Sequence, residues 1–388
     1  MPLSLDPLHP SNRSKTAKNP LEVFRDLPDP REARNQLHKL FDIFAIAICA
    51  ALCGANDWVK VAAFGHKKEQ WLRTFLDLPN GIPSHDTFDR VFRLIDPNEF
   101  EKRFVKWTEL VADLLPGQVI AIDGKTLRGS HDNAVGLAAI HCVSAFAANN
   151  QLILGQLVTD AKSNEITTIP KLLDTLAISG CLVTIDAMGC QKAIAAKIIE
   201  CRADYLLAVK GNQETLADEV NNFFSQAEAV DFEGVDHVYY KFEETNRGRQ
   251  EIREVWVTND VNWLPMLEDW KGLRSIMMVK TKRLVKSKLE TETRYYICSM
   301  PAEAKLLKNA ARQHWSIENS CHWVLDVIYQ EDNSRVRKGY GAENLSRLKR
   351  LTLNMLKQDT TSKGSIATKR FEAALDDRYR ESLLRNVA

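Results

Sequence analysis

Two apolar runs, "VIAID" at 119–123 and "CLVTID" at 181–186, each end on an aspartate. A carboxylate at the mouth of a buried strand is costly unless a cation meets it there, and a metal ion is one such cation. If the two strands lie side by side and parallel, Asp123 and Asp186 project from the same end of the sheet, where α/β proteins bind their ligands. The small residues that follow, Gly124 and Ala187, suit Mg²⁺, which takes oxygen ligands and keeps several waters. A third acid is expected from a helix packed on that sheet. Glu318 in "RQHWSIENSCHWVLDV" is the candidate, because His314, Glu318, His322 and Leu325/Asp326 recur at helical spacing and put polar groups on one face of an otherwise apolar helix.

Other chemistries fit these residues less well. An aspartate at a strand end is more often a cap or a surface acid than a ligand, and it is the matching pair that favours a metal. The His-x3-Glu-x3-His face is also compatible with a helix–helix network or a zinc site, although the HExxH spacing is absent. "GKT" at 124–126 suggests a phosphate loop, but that motif needs a glycine where Val119 stands, and Asp123 would repel phosphate.

The elements that must position these acids follow from periodicity. Residues 1–20 are polar and read as a mobile leader. From 21 to 116 apolar residues recur at helical spacing with breaks at Pro28/Pro30, 78–88 and Pro97, which predicts about four helices in a domain expected to bind DNA; Ser84 is placed to cap one of them. Three strand-like runs follow from 118, then a helix–strand–helix–strand alternation. The expected fold class is therefore α/β, a mixed five-stranded sheet with flanking helices whose first part, 117–230, is interrupted by a β insertion at 231–300 and resumes at 301–358 with the Glu318 helix. Residues 359–388 are expected to be a linker and a terminal helix.

Composition excludes several classes. The longest apolar stretch, Ile43 to Ala55, is far short of the roughly 20 residues of a membrane span. The start of the chain carries no basic region followed by an apolar one, so a cytoplasmic, nucleoid-associated location is expected. Eight cysteines without a CxxC pair predict neither a disulfide framework nor a zinc ribbon. With 52 Lys+Arg against 51 Asp+Glu the net charge is +1, so any nucleic-acid contact must come from local patches. Such patches exist: Lys125 and Arg128 after the first acid; Lys210 and Asn212 at the mouth of the fifth strand; Arg247, Arg249 and Arg253 in one insertion hairpin; Lys280, Lys282, Arg283, Lys286 and Lys288 in the other; Arg335, Arg337 and Lys338 beyond the Glu318 helix. Each alone reads as a solvated face; around three acids they are candidate phosphate contacts.

The stretches "GIPSHDTFDRVF", "AIDGKTLRGS", "VTIDAMGCQKAIAAKII", "YLLAVKGNQ" and "RQHWSIENSCHWVLDVIYQED" resemble the DDE insertion-sequence transposases, specifically the H-repeat-associated group linked to Rhs elements, over nearly the whole chain after residue 20. The resemblance implies an RNase H-like core with a β insertion before the last acid and the triad Asp123, Asp186, Glu318. It also implies two Mg²⁺ ions per site, with Mn²⁺ able to substitute, and phosphoryl transfer on DNA: hydrolysis at an element end, then attack of the freed 3′-hydroxyl on target DNA. The implied partners are double-stranded DNA and further copies of the chain on paired ends, without a membrane or a nucleotide cofactor. Where related transposases place Tyr, Arg and Lys around the last Glu, this chain has Ala311, His314 and Leu325, which leaves His314, Arg312 and His322 as the candidate phosphate contacts there. Two other readings stay open from sequence: a silent remnant that only binds DNA, and a stand-alone metal-dependent nuclease.

Overall fold

A computed structural model describes residues 19–132, 136, 138–159, 164–246, 249–285 and 288–385. Most of the expected leader, 1–18, lies outside these residues; its last residue, Pro20, instead opens a short helix, Pro20–Phe24, capped by Asn19. The architecture is a mixed α/β arrangement built on one nine-stranded sheet.

The strands are β1 (Val119–Leu127), β2 (Ile140–Ala147), β3 (Leu152–Val158), β4 (Leu182–Ile185), β5 (Asp204–Val209), β6 (Val238–Asn246), β7 (Arg249–Thr258), β8 (Ser275–Val285) and β9 (Lys288–Cys298), in the order β3-β2-β1-β4-β5-β9-β8-β7-β6. β1 to β3 are the expected antiparallel meander, and β1 pairs β4 in parallel, as β4 does β5. Ile120, Ala121 and Ile122 of β1 and Leu182 and Val183 of β4 are fully buried, which is why these strands are continuous apolar runs and not alternating ones. The five expected strands thus lie together. The insertion adds its two hairpins to their edge, because β9 pairs antiparallel with β5 from Leu206↔Cys298 to Val209↔Tyr295.

Two boundaries differ from expectation. β1 does not end at Asp123 with its apolar run but continues to Leu127, held by pairing with β2 as far as Leu127↔Ile140. The segment from 359 is a linker only to Ser365, whose hydroxyl caps the helix Ile366–Leu375; a second helix, Asp377–Arg385, follows. Their cations are buried against the N-terminal helices: Arg370 donates to the Ala51 carbonyl at 2.9 Å and to Asn56 Oδ1 at 2.8 Å.

The N-terminal helices are Pro20–Phe24, Leu40–Leu52, Trp58–Lys67, Glu69–Leu72, His85–Leu94 and Pro97–Val111. Ser84 caps His85–Leu94 as its position predicts. The long helix Gly341–Gln358 packs against Leu40–Leu52, His85–Leu94 and Pro97–Val111. It carries Arg347, whose Nε donates to Glu101 Oε2 at 2.6 Å, both side chains buried. One hydrophobic core consequently runs from Leu21 to Leu384. No helix among the described residues is long and apolar enough to cross a membrane.

Candidate active site

The parallel register β1/β4 pairs Ile122 with Ile185, so Asp123 and Asp186 are the next residues on neighbouring strands. Asp123 Oδ1 accepts from the Gly124 N–H at 2.9 Å, and Asp186 Oδ1 caps the turn 187–189 by accepting from Met188 N at 3.1 Å. Glu318 comes from the element packed over this strand end. The helix Ala304–His314 does not run on regularly: a π-helical turn, Glu318–His322, precedes the helix Trp323–Val327. Such widened turns recur at functional sites. His322, four residues on, lies beside Glu318, with Nδ1 3.6 Å from Glu318 Oε2 and 3.5 Å from Asp123 Oδ2.

Asp123, Glu318 and His322 each offer one ligand atom within 4.8 Å of the others. Burial, with the Glu318 carboxylate as second cause, pushes the Asp123 carboxyl up to about 8; Glu318, with His322 beside it, is held below its ordinary value. The pair therefore holds a proton that a divalent cation would displace. His322 is 4 % exposed and its Nε2 has no hydrogen-bond partner among the described residues. Two carboxylates and an imidazole are a donor set that fits a divalent ion. Asp186 adds its charge to the environment of Asp123 but stands outside this three-residue group.

Asp186 faces a cavity of about 100 Å³ lined also by Thr184, Lys210, Arg294, His314 and Trp315. His314 Nδ1 lies 3.2 Å from Thr184 Oγ1, and burial lowers its pKa. A larger cavity of about 690 Å³ shares Arg294 and Trp315 with the first and is lined by Arg253, Arg283, Lys308 and Arg312. Glu244, Glu251 and Glu292 pair with the four arginines, whereas the Lys308 ammonium lies 4.0 Å over the Phe242 ring.

The expected phosphate contacts divide. Arg283 and Arg312 line the larger cavity; His314 and Lys210 line the smaller. Asn212 is exposed, with its amide donating to the Ala187 carbonyl beside Asp186. Arg128, Arg335 and Lys338 are exposed, and Lys282 is exposed but paired with Glu254. Arg337 is half-buried, bonded to the Gly129 carbonyl. Arg247 and Lys286 lie outside the described residues; Arg249 and Lys288 are placed in β7 and β9 by their backbone. Two of them face acids: Lys125 is buried, bound to Asp326 at 2.6 Å and to Asp332 at 3.4 Å, and His322 lies beside Asp123 and Glu318. Arg294 and Lys308 are not among the expected residues, although Lys308 and Arg312 at i, i+4 put two cations on one helix face.

Two acids side by side on neighbouring parallel strands, with Glu318 and His322 packed over the first, form a group able to hold a metal ion. The model of the "Transposase DDE domain" family matches residues 115–355, and one described as "DDE_Tnp_1-associated" matches 21–108. The chain is 42 % identical to "Putative transposase YncI" of Escherichia coli O157:H7 over 94 % of each chain. It is 39 % identical to "H repeat-associated putative transposase YhhI" of Escherichia coli strain K12, over 95 % of this chain and 98 % of that one. A cryo-EM structure of the piggyBac transposase synaptic complex with hairpin DNA aligns at a TM-score of 0.45 and 12 % identity, covering 95 % of this chain and 77 % of that one. The chain belongs to the DDE-domain transposases.

Proposed function

We propose that this protein cuts DNA strands at the ends of its insertion element and joins them to target DNA, using Asp123, Asp186 and Glu318 on an RNase H-like core formed by 117–230 and 301–358. The observation that carries the reading is the convergence of Asp123 and Glu318, with His322, where β4 ends beside β1 inside the family-matched segment. Asp123, Asp186 and Glu318 would hold the divalent ions, two Mg²⁺ or Mn²⁺ per site, which when bound would supply Lewis acidity to the attacking hydroxyl and the leaving oxygen. The chain's other residues bind and orient. Lys210 and Arg294, beside Asp186, place the scissile phosphate. Arg283 and Arg312 hold the strand leading to it, and the helical stretch 21–116 contacts flanking duplex. Copies of the chain act together on paired ends at the nucleoid.

Strand joining separates this reading from a nuclease. A pre-cut oligonucleotide carrying the element's own end, incubated with plasmid and Mn²⁺, should be joined to the plasmid by the wild type and not by Asp186→Asn. Cleavage without joining would leave a nuclease, and DNA binding with neither reaction a silent remnant.

A further inference from the structure

We propose that the Lys125–Asp326 ion pair is a strut that holds the Glu318 helix against β1 and so preforms the cation site, making Lys125 a positioning residue. The inference rests on the metal-site reading above.

Lys125 is two residues beyond Asp123 on a continuous strand, so both side chains leave β1 on the same face. Asp326 is eight residues beyond Glu318, in the helix that continues the π-turn. One bond, Lys125 Nζ to Asp326 Oδ1 at 2.6 Å, therefore ties the strand that carries one acid to the helix that carries the other. The tie is reinforced from the next loop. Asp332 Oδ1 lies 3.4 Å from Lys125 Nζ and accepts from the Arg128 N–H at 3.3 Å. Gly129 approaches the Asp332 and Ser334 carbonyls so closely that no Cβ fits there. Beneath them Arg350 bonds Glu331 at 2.8 Å, which anchors the loop to the long helix Gly341–Gln358.

The strut fixes a distance. Asp123 and Glu318 stand on different elements, and a cation bound between them needs both held in place before it arrives. Lys125 does so mechanically through Asp326. It thereby orients metal ligands without touching the ion, a role whose loss typically costs 10–100-fold in metal affinity.

The test is Mn²⁺ binding to the full chain, followed by calorimetry and by the EPR signal of free Mn²⁺, at a temperature where each variant is folded. The double variant Lys125→Met/Asp326→Asn removes the pair without stranding a charge and should bind Mn²⁺ about 10–100-fold more weakly than wild type; Lys125→Arg should recover most of the affinity. Wild-type affinity in the double variant overturns the strut, whatever happens to its melting temperature. If the double variant does not fold, Asp332→Asn replaces it, with a several-fold loss expected and no change overturning the proposal. Asp123→Asn separates the two ideas: if it binds Mn²⁺ as wild type does, or if wild type binds none, the metal site itself fails and the strut with it.

Discussion

His322 Nδ1 stands 3.5 Å from Asp123 Oδ2, so a buried imidazole, and not a solvent-facing basic side chain, closes the acid site from the helix side. The arrangement explains how a carboxylate raised to about 8 coexists with one held low a few ångströms away. His322 supports the charge on Glu318, and Asp123 keeps the proton.

Stability without metal should therefore depend on pH. The folded pKa of Asp123, about 8, lies above the unfolded value of roughly 3.9. Its stabilising contribution is complete below the unfolded value and is lost as pH rises through about 8. Metal-free wild type should lose on the order of 4 kcal/mol relative to Asp123→Asn between pH 5 and pH 9, with Mn²⁺ restoring the wild type at the alkaline end. Parallel melting curves for the two proteins across that range would refute the assignment.

The close approach at Gly129 gives a second expectation. A methyl group there meets backbone carbonyls that cannot swing aside, while one at Gly124 meets the ends of the Glu165 and His141 side chains, and one at Gly211 meets nothing within 4 Å. Gly129→Ala should destabilise by about 1–3 kcal/mol or more. Gly124→Ala should cost less, and Gly211→Ala should stay within roughly 0.5 kcal/mol of wild type. Urea unfolding ranks the three, and an equal effect at all of them would contradict the packing described.

Arg347 and Glu101 join the long C-terminal helix to the helix Pro97–Val111 through a bond of 2.6 Å in the protein interior. Glu101 also accepts from the Gln156 N–H of β3. Arg347→Met strands that charge and should cost about 3–5 kcal/mol. A loss below about 1 kcal/mol would mean that the pair does not bind these elements together.

Salt dependence should reveal the groove. With Arg283→Gln/Arg312→Gln, DNA binding should weaken at low salt, and the slope of log affinity against log salt should flatten by about 0.7–0.9 for each phosphate no longer neutralised. An unchanged slope would place the DNA elsewhere.

Much of the sheet was legible in the sequence because buried parallel strands must be apolar runs: "VIAID" and "CLVTID" name their own strands, and their register puts the two aspartates side by side. Other features were hidden for physical reasons. The end of β1 looked like a turn because Gly124 and Lys125 follow the acid, yet pairing with β2 carries the strand on, and Gly124 is needed for the close approach of Glu165 and His141. The even spacing of His314, Glu318 and His322 predicts one regular helical face, and nothing local announces the π-turn at Glu318–His322. Lys125 read as a phosphate contact because its partners, Asp326 and Asp332, lie about 200 residues away. The helix Glu214–Ala229 was not expected, although Leu216, Val220, Phe224 and Ala227 mark its buried face.

The most direct test is nicking of a supercoiled plasmid carrying the gene's own flanking DNA, with Mg²⁺ or Mn²⁺, by wild type beside Asp123→Asn. Metal-dependent nicks at the element ends are expected with wild type, and a loss of at least about a thousandfold in the variant, whose fold is retained. Equal cleavage by both proteins would contradict the metal-site assignment.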